Sequence, residues 1–237
     1  MARSLAIIPV EGLPEIRPGD GLATMIAGAC RAQDTPLEPR DCLVVTQKVV
    51  SKAEDRLLPL DPDDAVARRR LIEAESVRVL RRRDELVISE TPQGWVCANA
   101  GIDLSNVDDG YAALLPVDAD RSARRIRDAV AARDGVDVAV VVSDTFGRTW
   151  REGLVDVAIG VAGVAAVLDL RGKPDANERA LRVTEIAVAD EIASAAELVM
   201  GKATRVPAAI VRGLDPDWFR DGSARELVRP PAEDLFR

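Results

Sequence analysis

VAVVVSDTFGRTWREGLVDVAIGVAG (138–163) is the stretch from which the fold class can be read. It begins with small and β-branched apolar residues over 138–142, the composition of a strand buried on both faces. The apolar run stops at Ser143-Asp144-Thr145. A polar, glycine-punctuated loop is expected over 146–153, holding Arg148, Arg151 and the acid Glu152, before a second apolar segment at 154–164. Oxygen-bearing side chains at the carboxyl end of a buried strand sit where open α/β sheets place their ligands. Asp144 and Thr145 offer hard oxygen donors suited to magnesium or manganese. Arg148 and Arg151 offer forked donors suited to phosphate or carboxylate. The plain alternative is a strand-to-loop turn with an Asx cap and a solvated arginine pair, and the stretch alone does not decide between them.

Outward from this stretch, strands and helices alternate. Residues 5–10 read as a strand and 11–14 as a turn. Asp20 is expected to cap a helix over 21–33, whose apolar positions Leu22, Met25, Ile26 and Ala29 follow helical spacing, and Pro36 and Pro39 end it. Residues 41–46 read as a second buried strand running into a polar segment, 47–56. There Lys52 would supply a point charge for a phosphate, and Gln47 and Ser51 hydrogen-bond donors; an exposed lysine on a solvated loop is the ordinary alternative. Residues 61–83 are expected to form a helix capped by Asp61, with Pro62 at its first position and two arginine triplets as a solvated face. Short strands follow at 85–89 and from 94. The segment 98–107 is rich in Asn, Gly, Asp and Ser, normally just a turn. It nevertheless adds Asp103 as a second candidate oxygen ligand and Asn106 as a side chain for a base or ribose. Further elements are a helix at 122–133, a strand at 165–170, a turn at 172–175, a helix at 183–200 and a strand at 206–211. Gly201-Lys202-Ala203-Thr204 is not a P-loop, because the first glycine position holds Ala196 and the segment follows a helix.

Composition narrows the chemistry. There are no histidines, which removes Ser-His-Asp and Cys-His catalysis and every histidine zinc site. A carboxylate-held divalent cation acting on a phosphorylated ligand is the class this inventory best supports. The formal charge of −8 argues against a nucleic-acid or anionic-membrane surface. There is no run of 18 apolar residues, 1–12 is too short and too quickly polar for a signal peptide to be expected, and Cys30, Cys42 and Cys97 lack any CxxC spacing, so reduced thiols in a cytoplasmic protein are expected. With no repeat or linker, one domain over 1–237 is expected.

Five segments together resemble the coenzyme F420:L-glutamate ligase (gamma-glutamyl ligase) family: VEGLPEI (10–16), VVSKAEDR (49–56), NAGIDLSN (99–106), VVVSDTFGRTWREG (140–153) and MGKATRVPAAIVRG (200–213). The likeness implies a mixed α/β fold with mixed sheets, flanking helices and an intertwined homodimer. It implies GTP-driven joining of L-glutamate to the lactyl carboxylate of a phospholactyl deazaflavin, the coenzyme F420 precursor, with Mg2+ or Mn2+ and with K+. It assigns Leu13, Pro14, Glu15 and Ile16 to the guanine nucleotide site, with Gln47, Lys48, Lys52 and Asn106. The segment Val199, Met200, Gly201, Lys202, Ala203, Thr204, Arg205 and Val206 would close over the nucleotide. Asp103 and Asp144 would hold one metal and Thr145 would contact a second. Lys52 and Arg148 would join Asp144 in balancing charge during transfer. Lys202 departs from the archaeal pattern of a glutamine or acid there, and a protonated lysine has no lone pair for a metal. Two metals per site, or one with the lysine charge taking part of the second's role, both remain open. Neither the nitroreductase-like domain that some members carry after this one nor its reductase activity is expected here. A different nucleotide-dependent carboxylate–amine ligase, a GTP-using phosphotransferase and a non-catalytic deazaflavin or nucleotide carrier are the alternatives.

Overall fold

The computed structural model describes residues 4–105 and 107–235. The chain opens with β1 (Ala6–Pro9), α1 (Leu22–Ala32), β2 (Cys42–Thr46), α2 (Gln47–Ala53) and β3 (Leu57–Pro59). Then come α3 (Ala65–Ala74), β4 (Arg78–Arg83), β5 (Leu86–Glu90), β6 (Val96–Ala98), β7 (Tyr111–Ala113) and α4 (Ala119–Asp134). The second half holds β8 (Ala139–Arg148), β9 (Arg151–Ala162), β10 (Leu168–Asp169), β11 (Glu185–Ile186), α5 (Val188–Met200) and β12 (Ala208–Arg212).

The central sheet has the order β1-β12-β2-β8-β9, with β2 and β8 parallel and the other neighbours antiparallel. This is the mixed α/β arrangement expected. Both faces are buried, and the period-two alternation decides which residue goes where. Leu43, Val45, Val140, Val142 and Ile210 pack against α1 and α4. Cys42, Val44, Ala139, Val141, Ala209 and Val211 pack against α5. The core is aliphatic, as the scarcity of aromatics requires. The side sheets, β3-β7, β4-β5-β6 and β10-β11, stand outside it. All three cysteines are free and buried. Burial, with the Asp41 charge, pushes the Cys30 thiol up to about 11, so it carries little thiolate.

Several expectations change. The strand of 138–142 does not stop at Ser143: β8 runs on to Arg148 and turns back through Thr149-Trp150 into β9. Trp150 takes φ +70° at that tight turn. The polar residues can stay in the sheet because β9 supplies their hydrogen-bond partner, Asp156. Residues 47–53 form a helix, not a loop. The helix expected over 61–83 is confined to α3. Asp64 caps it by accepting from the Val66 and Ala67 amides, while the Asp61 carboxylate turns to the Asp63 amide. Beyond it Arg78–Arg83 pairs with β5, so Arg81, Arg82 and Arg83 lie exposed along an edge strand, where charge discourages further pairing. Asp20 bonds the Arg17 amide and Gly21 takes the N-cap of α1. The last long helix starts at Val188, because Glu185–Ile186 is drawn into the β10–β11 ladder. The strand expected over 165–170 shrinks to Leu168–Asp169 in that same ladder.

Candidate active site

The parallel ladder of β2 and β8 ends at the pair Thr46–Ser143. Immediately beyond it, one strand gives way to α2, carrying Lys48 and Lys52, and the other continues as Asp144 and Thr145. Charged groups therefore gather at the carboxyl end of the parallel pair. Asp103 joins them from a neighbouring segment, held by two backbone hydrogen bonds with Ala113 at 2.8 and 3.0 Å.

Lys48 Nζ lies 2.7 Å from Asp103 Oδ2 and donates to Ser105 Oγ at 3.0 Å. The Ser105 amide donates to Asp103 Oδ1 at 2.7 Å. Burial pushes the Asp103 carboxyl up, but the Lys48 ammonium and the Ser105 amide outweigh it and hold the group below the ordinary carboxylate value. Asp144 is placed differently. Burial raises its carboxyl to about 7, the nearby Asp103 and Asp156 charges push the same way, and the Thr145 amide and Lys48 oppose them. The same burial and the Asp144 charge lift the Cys97 thiol to about 12.

On the other side of β8 stands Asp156, 2% exposed, which accepts from Ser143 Oγ at 2.9 Å and from Thr145 Oγ1 at 2.6 Å. Lys202 Nζ lies 3.0 Å from Asp156 Oδ1 and 3.0 Å from Glu197 Oε1, and it also bonds Thr145 Oγ1. Burial works against the Lys202 charge, yet the hydrogen bonds it donates to Glu197 and Asp156 raise its affinity for the proton above the ordinary value.

The remaining expected residues divide. Lys52 is buried and ion-paired with Glu15, which ties the 13–16 segment to α2. In that segment Ile16 is buried, Leu13 half-buried and Pro14 exposed. Gln47 and Ser51 are turned inward: Gln47 Nε2 donates to Ser51 Oγ at 2.6 Å, and both donate to the Leu114 carbonyl, so neither is presented as a free donor. Arg148 donates to the Glu152 carbonyl of its own hairpin, and its buried Nε has no partner among the described residues. Val199 and the buried Met200 close α5, Gly201 reverses the chain at φ +59°, and Lys202, Ala203, Thr204 and Arg205 are exposed before half-buried Val206. Asn106 lies outside the described residues.

Asp156 and Glu197 are the residues that sequence reasoning passed over. The available signal was a lone acid inside the apolar run 154–164. It becomes informative only when 143–148 is read as strand, since Asp156 then falls opposite Thr145.

The donor set can be tested against a divalent cation. Asp103 and Asp144 are hard oxygen ligands, and the crowding of Asp144 by two other carboxylates in a buried position is what such an ion relieves. Among the described residues no three acidic or thiol groups form a complete cage. One or two carboxylates completed by substrate phosphate and water is the usual magnesium arrangement, so the residues fit one ion.

Fold and site together define a mixed α/β protein with acids and lysines convergent at the ligand-binding edge of its sheet. The family model described as F420-0:Gamma-glutamyl ligase matches residues 12–213. Coenzyme F420:L-glutamate ligase of Methanothermobacter thermautotrophicus is 43% identical over 249 residues, covering 98% of this chain and 99% of that protein. The protein of the same name from Methanopyrus kandleri is 43% identical, with 99% and 98% covered, and that from Archaeoglobus fulgidus 40%, with 98% and 96% covered. The chain belongs to the F420-0:gamma-glutamyl ligase family, and it is a ligase. No helix among the described residues is long and apolar enough to cross a membrane.

Proposed function

We propose that this enzyme adds L-glutamate through amide bonds to the lactyl carboxylate of the coenzyme F420 precursor, using GTP and releasing GDP and phosphate, in the cytoplasm. The observation that carries the reading is the meeting of Asp103, Asp144 and Lys48 at the end of β2 and β8, within the matched family region.

An amide cannot form from a free carboxylate and an amine in water without activation. A precursor carboxylate oxygen attacks the γ-phosphorus of GTP, the bond to the bridging oxygen breaks, and GDP leaves. The glutamate amine then attacks the acyl phosphate carbon, inorganic phosphate departs and the nitrogen gives up its proton. Positioning and charge neutralisation are the protein's main contributions to such a transfer. Lys48 and Lys52 lie four residues apart on one face of α2 and would turn their ammonium groups from Asp103 and Glu15 to the phosphates. Asp103 and Asp144 would hold Mg2+ or Mn2+, which supplies charge neutralisation at the phosphate oxygens when bound. Arg148, on the hairpin beyond Asp144, adds a forked donor. A K+ ion, implied by the family likeness, has no site assigned among these residues.

The test is mass spectrometry of a reaction containing the deazaflavin precursor, L-glutamate, GTP and Mn2+, with each omitted in turn. A product heavier by one or more glutamyl units, with GDP formed in step, is expected. GDP without a glutamylated product would move the search to another acceptor, and no GDP would remove GTP from the reaction.

The working unit is proposed to be an intertwined homodimer. Supporting this, the β8–β9 hairpin carries Trp150 at 84% exposure and Leu154 at 67%, large apolar side chains that a partner would cover. Trp150→Glu is expected to convert a dimer to a monomer in light scattering. A monomeric starting protein, or a variant still dimeric at micromolar concentration, would exclude this hairpin as the contact.

A further inference from the structure

Three oxygens from three elements converge on a single point: Thr145 Oγ1 of β8, Asp156 Oδ1 of β9 and Glu197 Oε1 of α5. Hard oxygens so arranged are what a bound cation requires, and here the cation is the chain's own Lys202 ammonium. The cradle is built, not incidental. Asp156 is almost wholly buried, and its second oxygen is fixed by Ser143. The Lys202 side chain is itself 57% exposed, so the cradle lies at the surface while Asp156 beneath it is buried. It stands beside Thr145, next in the chain to the candidate metal ligand Asp144.

The geometry points to Lys202 as a built-in cation that fills the place of a second divalent ion and turns its charge toward the phosphate groups of the nucleotide. This rests on the reading that Asp103 and Asp144 hold one ion and that the nucleotide lies in the same groove. A divalent ion at Thr145 would have to share its ligands with an ammonium already within hydrogen-bond distance of all three, and a protonated lysine offers it no lone pair. Lys202 would then act as a positioning charge: fixed in the sheet's frame, needing no metal to be recruited. It is also the reason two carboxylates can sit behind Thr145 without a metal.

The count of Mn2+ bound per chain, read from the electron paramagnetic resonance of the free ion in a titration with Mn2+ alone, tests this. Wild type is expected to bind one ion. Lys202→Glu, which replaces the ammonium with oxygen ligands, and Lys202→Gln, which does so without charge, are each expected to bind one ion more than wild type. A merely structural lysine would give no such gain. Two ions on the wild-type chain, or no gain in either folded variant, would overturn the inference. Should Lys202→Glu fail to fold, Lys202→Gln carries the comparison, and should both fail, the wild-type count decides alone: one ion supports the inference and two overturn it. No ion on wild type with one on Lys202→Gln would keep the inference and instead remove the Asp103–Asp144 site. Loss of ligase activity does not enter this readout, so the two readings fail separately.

Discussion

Asp144→Asn is expected to lower turnover by about a thousandfold, ~4 kcal/mol of transition-state stabilisation, while leaving the protein folded. The amide is nearly the same size and can still accept the Thr145 amide hydrogen bond at 2.8 Å, so the strand has no reason to move. What disappears is the charge. In the metal-free protein that charge is a burden: burial first, and then Asp103 and Asp156, raise the carboxyl to about 7. An unfolded chain ionises the same group near 3.8. Between these two values the unfolded state gives up its proton while the folded state keeps it, so this group's contribution to stability falls as pH rises and levels off above about 7. Asn abolishes that term. The variant should therefore melt above metal-free wild type at about pH 8, with the difference shrinking toward about pH 5. Mn2+ should reverse the order, because it binds the ionised carboxylate and stabilises wild type more at high pH than at low. Steady-state rates and thermal melts with and without Mn2+ would check both halves. A variant with full turnover, or one melting below wild type without metal at high pH, would take Asp144 out of this role.

The sequence carried most of this site and misjudged how it is built. Asp103, Asp144 and Lys52 were legible because each follows an apolar run that had to be buried, and polar groups past such a run are where ligands bind; Lys48 came only from the family likeness. Charge pairing was not legible. Nothing in QKVVSKAEDR (47–56) shows that Lys48 reaches Asp103 or that Lys52 meets Glu15, since those contacts join segments 55 and 37 residues apart. The inward turn of Gln47 was hidden for the same reason: its partner is the backbone carbonyl of Leu114. The strand-to-loop boundary failed at Ser143 on a local rule. Polar residues end an apolar run in sequence, but they remain in a ladder when the facing strand brings a carboxylate to bond them. The 61–83 helix failed in the opposite sense. Its arginines favour helix locally, while Val79 and Val87 gain burial only if the second half turns back and pairs as β4 and β5.

Gly160→Ala is expected to cost about 3 kcal/mol, because overpacking against backbone cannot be relieved by a rotamer change. A Cβ at this position would sit 2.3 Å from the Ala119 carbonyl oxygen and 2.4 Å from its carbon. Ala119 opens α4, and that end of the helix cannot retreat freely. Asp120 accepts from the Val161 amide at 2.8 Å, from Ser223 Oγ at 2.6 Å and from the Ala224 amide at 3.0 Å, clasping helix, strand and tail together. The melting temperature should fall by roughly 6–12 °C for a chain of this size. The consequence reaches the site through the ladder. Val142 pairs with Gly160 but Ser143 pairs with Ala158, so one extra residue of β9 is accommodated here as a bulge. That shift places Asp156 opposite Thr145 and Val157 opposite Asp144; without it, every later residue of β9 would face the other way. Gly160→Ala should therefore reduce turnover well below its melting temperature as well as lowering stability. Gly28→Ala is the control: nothing lies within 4 Å of its added Cβ, and Ala in a helix interior should add ~0.5–1 kcal/mol. Paired denaturation curves decide the matter. A Gly160→Ala protein as stable and active as wild type would mean that α4 can move off β9, and that the bulge does not hold Asp156 under the site.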